Sequence, residues 1–263
     1  MWTPPFLYPP PASVYVTAVS AVSFVWLLKL GLSELRGEHL AYSKFCHVVG
    51  GGALLPSRVG MLVAYVPALV AAAASFAVPG VVEGTRAQLL SAALAVHFLK
   101  RILEVLFVHR YSGKMELATA DTISCSYLLG TVNMIYALRL SRDLQDPAID
   151  LLRPGVFVFA VGIAGNVYHH YLLSRLRADS RGGDKGYKIP KGGLFELVTC
   201  PHYFFEIMVF FGFAMISQTV FALAFASGTA AYLAGRSCAT RRWYDSKFEE
   251  FPANIKTLVP YIF

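Results

Sequence analysis

His202 and Glu206 stand four residues apart in CPHYFFE, residues 200–206. They open an apolar run that meets no Lys, Arg or Asp before Arg236. On a helix this spacing puts both side chains on one face, and Pro201 suits the first helical turn. A Glu directed into an apolar bundle needs a donor, either His202 or the amide or hydroxyl of a ligand. A second set lies in AVHFLKRILEVLFVHR, residues 95–110. There His97, Arg101 and Glu104 follow i, i+4, i+7, and Lys100 and Glu104 are i, i+4 neighbours. Such groups either line a polar cavity or neutralise one another between two helices. Asn166, His170 and Arg177 form a third stripe in GNVYHHYLLSRLR, residues 165–177. The adjacent His169 and His170 are not expected to hold a metal, because the seven His of the chain are scattered rather than boxed.

Two basic segments lie beside these stripes. In GDKGYKIPKGGLFELVTC, residues 183–200, Lys188 and Lys191 flank Pro190, and Gly192-Gly193 allows close backbone approach. This loop could hold phosphates through amides and ammonium groups, or face anionic lipid; composition does not separate the two. It is neither a Walker A loop nor a GxGxxG fingerprint, and GGG at 50–52 is equally uninformative. In GRSCATRRWYDSKF, residues 235–248, Arg236, Arg241, Arg242, Tyr244 and Lys247 cluster. Basic charge beside polar helix ends suits a multiply phosphorylated cofactor.

The elements that must position these residues are membrane helices. The chain has 263 residues, of which 56% are hydrophobic and 15% charged, well below the roughly 25% charge of a soluble domain. Mean hydropathy is +0.53. A bilayer core needs about 20 apolar residues per helix, which predicts an all-α, polytopic bundle. Seven spans are expected near 13–32, 59–78, 87–108, 119–138, 154–173, 203–217 and 219–236, the sixth short enough to be re-entrant. Turn chemistry in VPGVVEG at 78–84 and LQDPAIDLLRPG at 144–155 separates spans. The start, MWTPPFLYPPPASVYV, has no basic stretch or cleavage site, so the first span is expected to be retained. Cys46, Cys125, Cys200 and Cys238 form no CxxC pair.

The net charge of +7 reads as membrane topology rather than nucleic-acid binding. With the N-terminus outside, segments 33–58, 109–118, 174–202 and 236–263 face the cytosol and hold 16 of the 23 Lys and Arg. The opposite loops hold four. This asymmetry favours a cytosolic C-terminus. Joining the last two spans into one helix would send five basic residues to the lumen, a weaker arrangement.

YKIPKGGLFELVTCPHYFFEI, followed by RRWYDSKFEEFPANIKTLVPYIF, resembles the C-terminal domain of the steroid 5α-reductase family, from about Gly155 to Phe263. That family includes steroid 5α-reductases, polyprenol reductases and very-long-chain trans-2-enoyl-CoA reductases. HFLKRILEVLFVHRYSG is more similar to the enoyl-CoA reductase branch, and SELRGEHLAYSKF to plant 3-oxo-5-alpha-steroid 4-dehydrogenase family members. The resemblance implies a seven-helix fold in the endoplasmic reticulum membrane. Residues 1–110 would line a lipid pocket, and residues 111–263 would bind NADPH. Asn166, Arg177, Tyr187, Glu206, Arg236 and Tyr244 fall at its cofactor contacts. Lys188 and His202 replace the more usual Arg and Asn, and His170 replaces Asp. The family's substrate-binding Glu and Tyr correspond to Leu54 and Phe98, neither of which donates a proton; Glu104 joins them as an expected substrate-side residue.

The implied reaction is hydride transfer from NADPH to the β-carbon of an α,β-unsaturated carbonyl. His97 and Arg101 are the preferred pair near the carbonyl oxygen, with Lys100 beside them. Glu206 and His202 are expected at the nicotinamide end, with Glu206 accepting from the carboxamide. Three alternatives stay open: a very-long-chain trans-2-enoyl-CoA reductase, an isoprenylcysteine-type methyltransferase, and a non-catalytic relative. CPHY reverses the His-Pro order of the methyltransferase motif.

Overall fold

The structure is a computed structural model that describes residues 4–46, 52–111, 113–178 and 188–263. Tyr187 lies outside the described residues, and of Arg177 only the backbone belongs to them. Seven α-helices carry the described chain: α1 Val14–Arg36, α2 Ser57–Ala74, α3 Gly84–Leu103, α4 Leu117–Ser141, α5 Leu152–Ala178, α6 Pro201–Ser217 and α7 Val220–Lys247. Two three-residue strands, β1 Leu54–Pro56 and β2 Lys114–Glu116, pair antiparallel with Leu54 opposite Glu116. They clip the start of α2 to the start of α4.

Local chemistry sets the boundaries. Ser13 caps α1 by accepting from the Val16 amide at 3.3 Å. Gly37, at φ 91°, closes its other end. After Leu103 the third helix widens into a π turn, Glu104–Val108.

Helices α1, α2 and α5 are long and apolar enough to cross a bilayer; α6 is a shorter apolar helix. The remaining three are more polar because they turn polar residues inward. Thr119, Thr131, Asn133 and Ser141 of α4 are buried, as are Arg236, Ser237 and Thr240 of α7. Such residues belong inside a bundle rather than against lipid.

Helix α1 packs along α7, α5 along α6, and α2 against both α3 and α4. Between helices in lipid the gain comes from close packing, which small residues permit. A Cβ on Gly31 of α1 would lie 2.6 Å from the Ala231 carbonyl oxygen of α7. A Cβ on Gly162 of α5 would lie 2.8 Å from the Val209 amide nitrogen of α6.

The last apolar run is two helices, not one. Its break is Gln218, a left-handed residue at φ 51° with no exposed surface. Its amide nitrogen donates to the carbonyls of Phe6 and Ile149 at 2.6 and 2.9 Å. Its amide oxygen accepts from Arg86 and from the Leu151 backbone at 2.8 and 2.9 Å. Its carbonyl accepts from the Tyr8 amide at 2.8 Å. One side chain thus fastens the N-terminal segment, the start of α3, the loop before α5 and the α6–α7 corner. Thr219 then caps α7 by accepting from the Ala222 amide at 3.3 Å. Beside this knot the Leu152 amide and Arg86 hold the exposed Asp150 carboxylate below its usual pKa.

Gln218→Ala should therefore destabilise the detergent-solubilised protein by on the order of 3 kcal/mol, since it leaves several buried groups unpaired. Gln218→Gly should recover about 1–2 kcal/mol of that loss by removing the left-handed Cβ penalty. Thermal unfolding of the two variants checks the order, and an Ala variant as stable as the Gly variant would contradict it.

Candidate active site

Four helices bring their polar residues to one buried place. Helix α3 supplies His97, Lys100 and Arg101, and the π turn that follows supplies Glu104. Helix α5 supplies Asn166 and His170, and α6 supplies His202 and Glu206. Helix α2 adds Tyr65. A π turn is a frequent companion of functional residues, because it re-aims a side chain from the regular helical stripe.

Glu104 is buried and accepts from Lys100 at 3.2 Å and from Arg101 Nη1 at 3.0 Å. Lys100 also donates to the Asn166 side-chain oxygen. Asn166 in turn donates to the His202 carbonyl at 2.8 Å, which ties α3 to α5 and α5 to α6. Arg101 Nη1 lies 3.2 Å from His170 Nδ1, and Nη2 donates to the Tyr65 hydroxyl. A guanidinium can only donate, so whichever His170 ring nitrogen meets it, Nδ1 at 3.2 Å or Nε2 at 3.4 Å, is an acceptor there. His170 Nδ1 also lies 3.0 Å from Glu104 Oε1, without hydrogen-bond alignment. Glu104 Oε1 is left without a hydrogen-bond donor among the described residues.

Glu206 is the second buried carboxylate. Its Oε1 approaches His97 Nε2 at 3.5 Å. That contact is an ion-pair distance without hydrogen-bond alignment, because both His97 ring nitrogens stay unbonded, as do Glu206 Oε2, His202 Nδ1 and Arg101 Nε. Buried polar groups in native proteins are rarely left so. A ligand with both donors and acceptors would complete them. A carboxamide has this character, so the residues present fit the nicotinamide end of NADPH on an observation of their own. Aromatic rings close the place on one side: Phe98, Phe210 and Phe213 stand edge-on to the His97 ring at 4.9, 5.8 and 5.8 Å.

The donor atoms of Glu104, His109 and His170 lie within 4.8 Å of one another, a grouping that could hold a metal ion. Arg101 already lies against Glu104 and His170, and a guanidinium there opposes a second cation.

Of the remaining expected residues, only Phe98 borders this place. Arg236 is buried and pairs with Glu34 of α1 at 2.7 Å. It also approaches the Leu40 and Tyr42 carbonyls and packs between the Tyr42 and Phe45 rings, 4.2 and 4.3 Å from their centroids. In this arrangement it braces α7 to α1. Tyr244 stacks against Phe251 and Phe248 at 5.3 and 5.8 Å, with the Lys44 ammonium over its ring at 4.5 Å. Lys188 is exposed and lines a cavity of about 440 Å³ with Leu176, Ile189, Lys191 and Phe248. Leu54 stands in β1, ahead of the second helix rather than within it. Phe98 is buried in the aromatic wall. Cys200, just before α6, is also buried, which pushes its thiol up to about 11 and keeps it protonated.

Three participants were not read from the sequence: Tyr65, Glu34 and His109. Tyr65 had one local signal, a lone hydroxyl in the run MLVAYVPALVAAAA, residues 61–74. Glu34 sits at the end of an apolar span, where a charge ordinarily reads as solvated.

Residues 115–263 match the family described as 3-oxo-5-alpha-steroid 4-dehydrogenase. The chain is 36% identical over 180 residues to "3-oxo-5-alpha-steroid 4-dehydrogenase 1" of Macaca fascicularis, covering 66% of each chain. It is 44% identical over 110 residues to "Steroid 5-alpha-reductase DET2" of Gossypium hirsutum, covering 41% of this chain and 42% of that one. It is 32% identical over 170 residues to "Very-long-chain enoyl-CoA reductase" of Dictyostelium discoideum, covering 64% of this chain and 55% of that one. The match thus spans about two thirds or less of the length of these relatives.

Breaking a buried ion pair costs about 3–5 kcal/mol. Arg236→Gln and Glu34→Gln are each expected to lower the thermal midpoint of the cofactor-free protein. An Arg236→Gln protein that keeps its cofactor-free stability and loses only NADPH affinity would return Arg236 to the cofactor.

Proposed function

The chain belongs to the 3-oxo-5-alpha-steroid 4-dehydrogenase family, and from that premise we propose that it is a membrane-embedded, NADPH-dependent reductase. Its substrate is a lipid carrying a conjugated C=C bond, of the 3-oxo-4-ene steroid type. The observation that carries the reading is the set of unpaired buried polar atoms on His97, Arg101, His202 and Glu206. They lie among four helices, in a place walled by aromatic rings. All seven helices would span the endoplasmic reticulum membrane with the C-terminus in the cytosol, as the distribution of Lys and Arg favours. Residues 1–110 would form the lipid pocket and residues 111–263 most of the cofactor cradle.

NADPH, when bound, supplies a hydride to the β-carbon of the unsaturated carbonyl. The chain's own residues then have separate tasks. Glu206 accepts from the carboxamide and fixes the nicotinamide ring. Asn166 holds the Lys100 ammonium and the His202 carbonyl in register. Arg101 places positive charge, and His97 an N–H donor, where negative charge grows on the carbonyl oxygen. The Phe98, Phe210 and Phe213 wall keeps water out, which strengthens each of these interactions. His170 acts behind this group, as an acceptor that orients Arg101.

The second reading, a very-long-chain trans-2-enoyl-CoA reductase, is favoured by the Dictyostelium relative that aligns with 64% of this chain. It uses the same hydride chemistry on a thioester. Detergent-purified protein offered a 4-ene-3-keto steroid and a long-chain trans-2-enoyl-CoA in parallel separates the two by which one drives NADPH oxidation. Oxidation with neither substrate would overturn both readings. With the accepted substrate, His97→Ala and Arg101→Gln should each lower kcat by about 10²-fold while the NADPH Kd changes little. Glu206→Gln should weaken NADPH binding about tenfold, the equivalent of one charged hydrogen bond. Unchanged NADPH affinity in that variant would remove Glu206 from the cofactor.

A further inference from the structure

A reductase of a conjugated carbonyl needs a hydrogen-bond donor at the carbonyl oxygen, and the third helix presents Phe98 where the family resemblance implies a tyrosine. Tyr65 of α2 brings a hydroxyl to the same place. It is 2% exposed. Its oxygen accepts from Arg101 Nη2, and the Arg101 guanidinium carbon lies 4.7 Å from its ring centroid. Among the described residues its own proton is given to no acceptor: its polar partner is a guanidinium, which cannot accept. Its ring is 5.6 Å from that of Tyr127, which is 5.4 Å from Phe98. Tyr65 also lies within electrostatic reach of Glu206, at the nicotinamide end. A buried phenol, fed by a cation at its oxygen and with its proton unspent, is suited to donate to an oxygen on which negative charge develops.

We infer that Tyr65 is the proton donor of the reaction, with Arg101 as the group that holds its oxygen. The assignment rests on the reductase reading above. The β-carbon receives hydride as the nicotinamide is oxidised, the C=C π pair moves into conjugation, and the carbonyl oxygen takes the negative charge. Tyr65 passes its phenolic proton to that oxygen, giving an enol and a phenolate facing Arg101. The enol then returns its O–H proton to the phenolate while the α-carbon takes a proton from the medium, so that one hydrogen ion is consumed per turnover. The net change is one hydride and one proton added across the C=C bond, with Tyr65 restored. Helix α2 thereby supplies the hydroxyl that Phe98 lacks. The reacting carbonyl must accordingly point toward α2 and not toward Phe98, a constraint on how the lipid enters.

The test uses full-length protein in detergent with NADPH and whichever unsaturated carbonyl the wild type reduces. Tyr65→Phe should lower kcat by about 10²-fold or more with NADPH Kd within twofold of wild type. Turnover by Tyr65→Phe within twofold of wild type overturns the assignment and leaves the reductase reading standing. No enone- or enoyl-dependent oxidation by the wild type overturns that reading and the assignment with it. Should Tyr65→Phe fail to fold, 3-fluorotyrosine at position 65 keeps the ring and acidifies the phenol. The kcat should then change while the NADPH Kd stays within twofold of wild type, because the donor's acidity has changed. An unchanged kcat overturns the assignment.

Discussion

Burying Glu104 and Glu206 inside a helical bundle is the constraint around which the rest of this structure is arranged. A carboxylate in an apolar interior is tolerable only with a cation or several donors beside it. Glu104 meets both conditions through Lys100 and Arg101, one on the preceding turn and one three residues back. The π turn Glu104–Val108 begins at this carboxylate, as the regular helix ends. Glu206 does not meet them: its nearest basic group, on His97, is 3.5 Å away and unaligned. The two carboxylates lie in one cluster, Glu104 held through Oε2 by two cations and Glu206 by none. On the proposed reading, that contrast leaves Glu206 to receive a ligand.

An under-satisfied group persists only when surrounding structure over-determines its place. Two knots at opposite ends of α7 do this here. At one end Gln218 stitches the N-terminal segment, α3 and the loop before α5 to the α6–α7 corner. Towards the other, Arg236 and Glu34 lock α7 to α1 from positions 202 residues apart. Between the knots, Gly31 lets α1 lie directly on the α7 backbone. Helix α7 is thus a fixed post. Helix α6, joined to it at Gln218, holds Glu206 in place while offering it no full partner of its own.

The legible part of the site was the part written in one helix. His97, Arg101 and Glu104 read as a stripe because their spacing is helical, and the structure buries all three side chains together or nearly so. Asn166 with His170, and His202 with Glu206, were readable for the same reason. Their mutual contacts across helices, such as Asn166 to the His202 carbonyl, follow no periodicity. Arg236 shows the limit from the other side. A basic residue near a cytosolic helix end, matching a family contact, reads as a cofactor ligand. Its partner Glu34 lies in the first span, and nothing local in either segment announces the other. Tyr65 and Arg101 repeat the lesson over 36 residues. The seven helices, and the break between the last two at residue 218, were legible from hydropathy, whereas the π turn and the partners of the Gln218 side chain follow no local pattern.

The family match covers residues 115–263, which includes Asn166, His170, His202 and Glu206 but neither α2 nor α3. A cofactor end and a substrate end have different obligations. The substrate varies, and the donor at its carbonyl needs only to deliver a proton to the right point in space. Helices α2 and α3 lie against each other, so a hydroxyl can reach that point from either one. On the proposed assignment, Tyr65 on α2, linked to Phe98 on α3 through the Tyr127 ring and with Arg101 behind its hydroxyl, takes that duty. The helix that carries the donor then fixes the side from which the carbonyl is presented, and with it the shape of lipid the pocket admits.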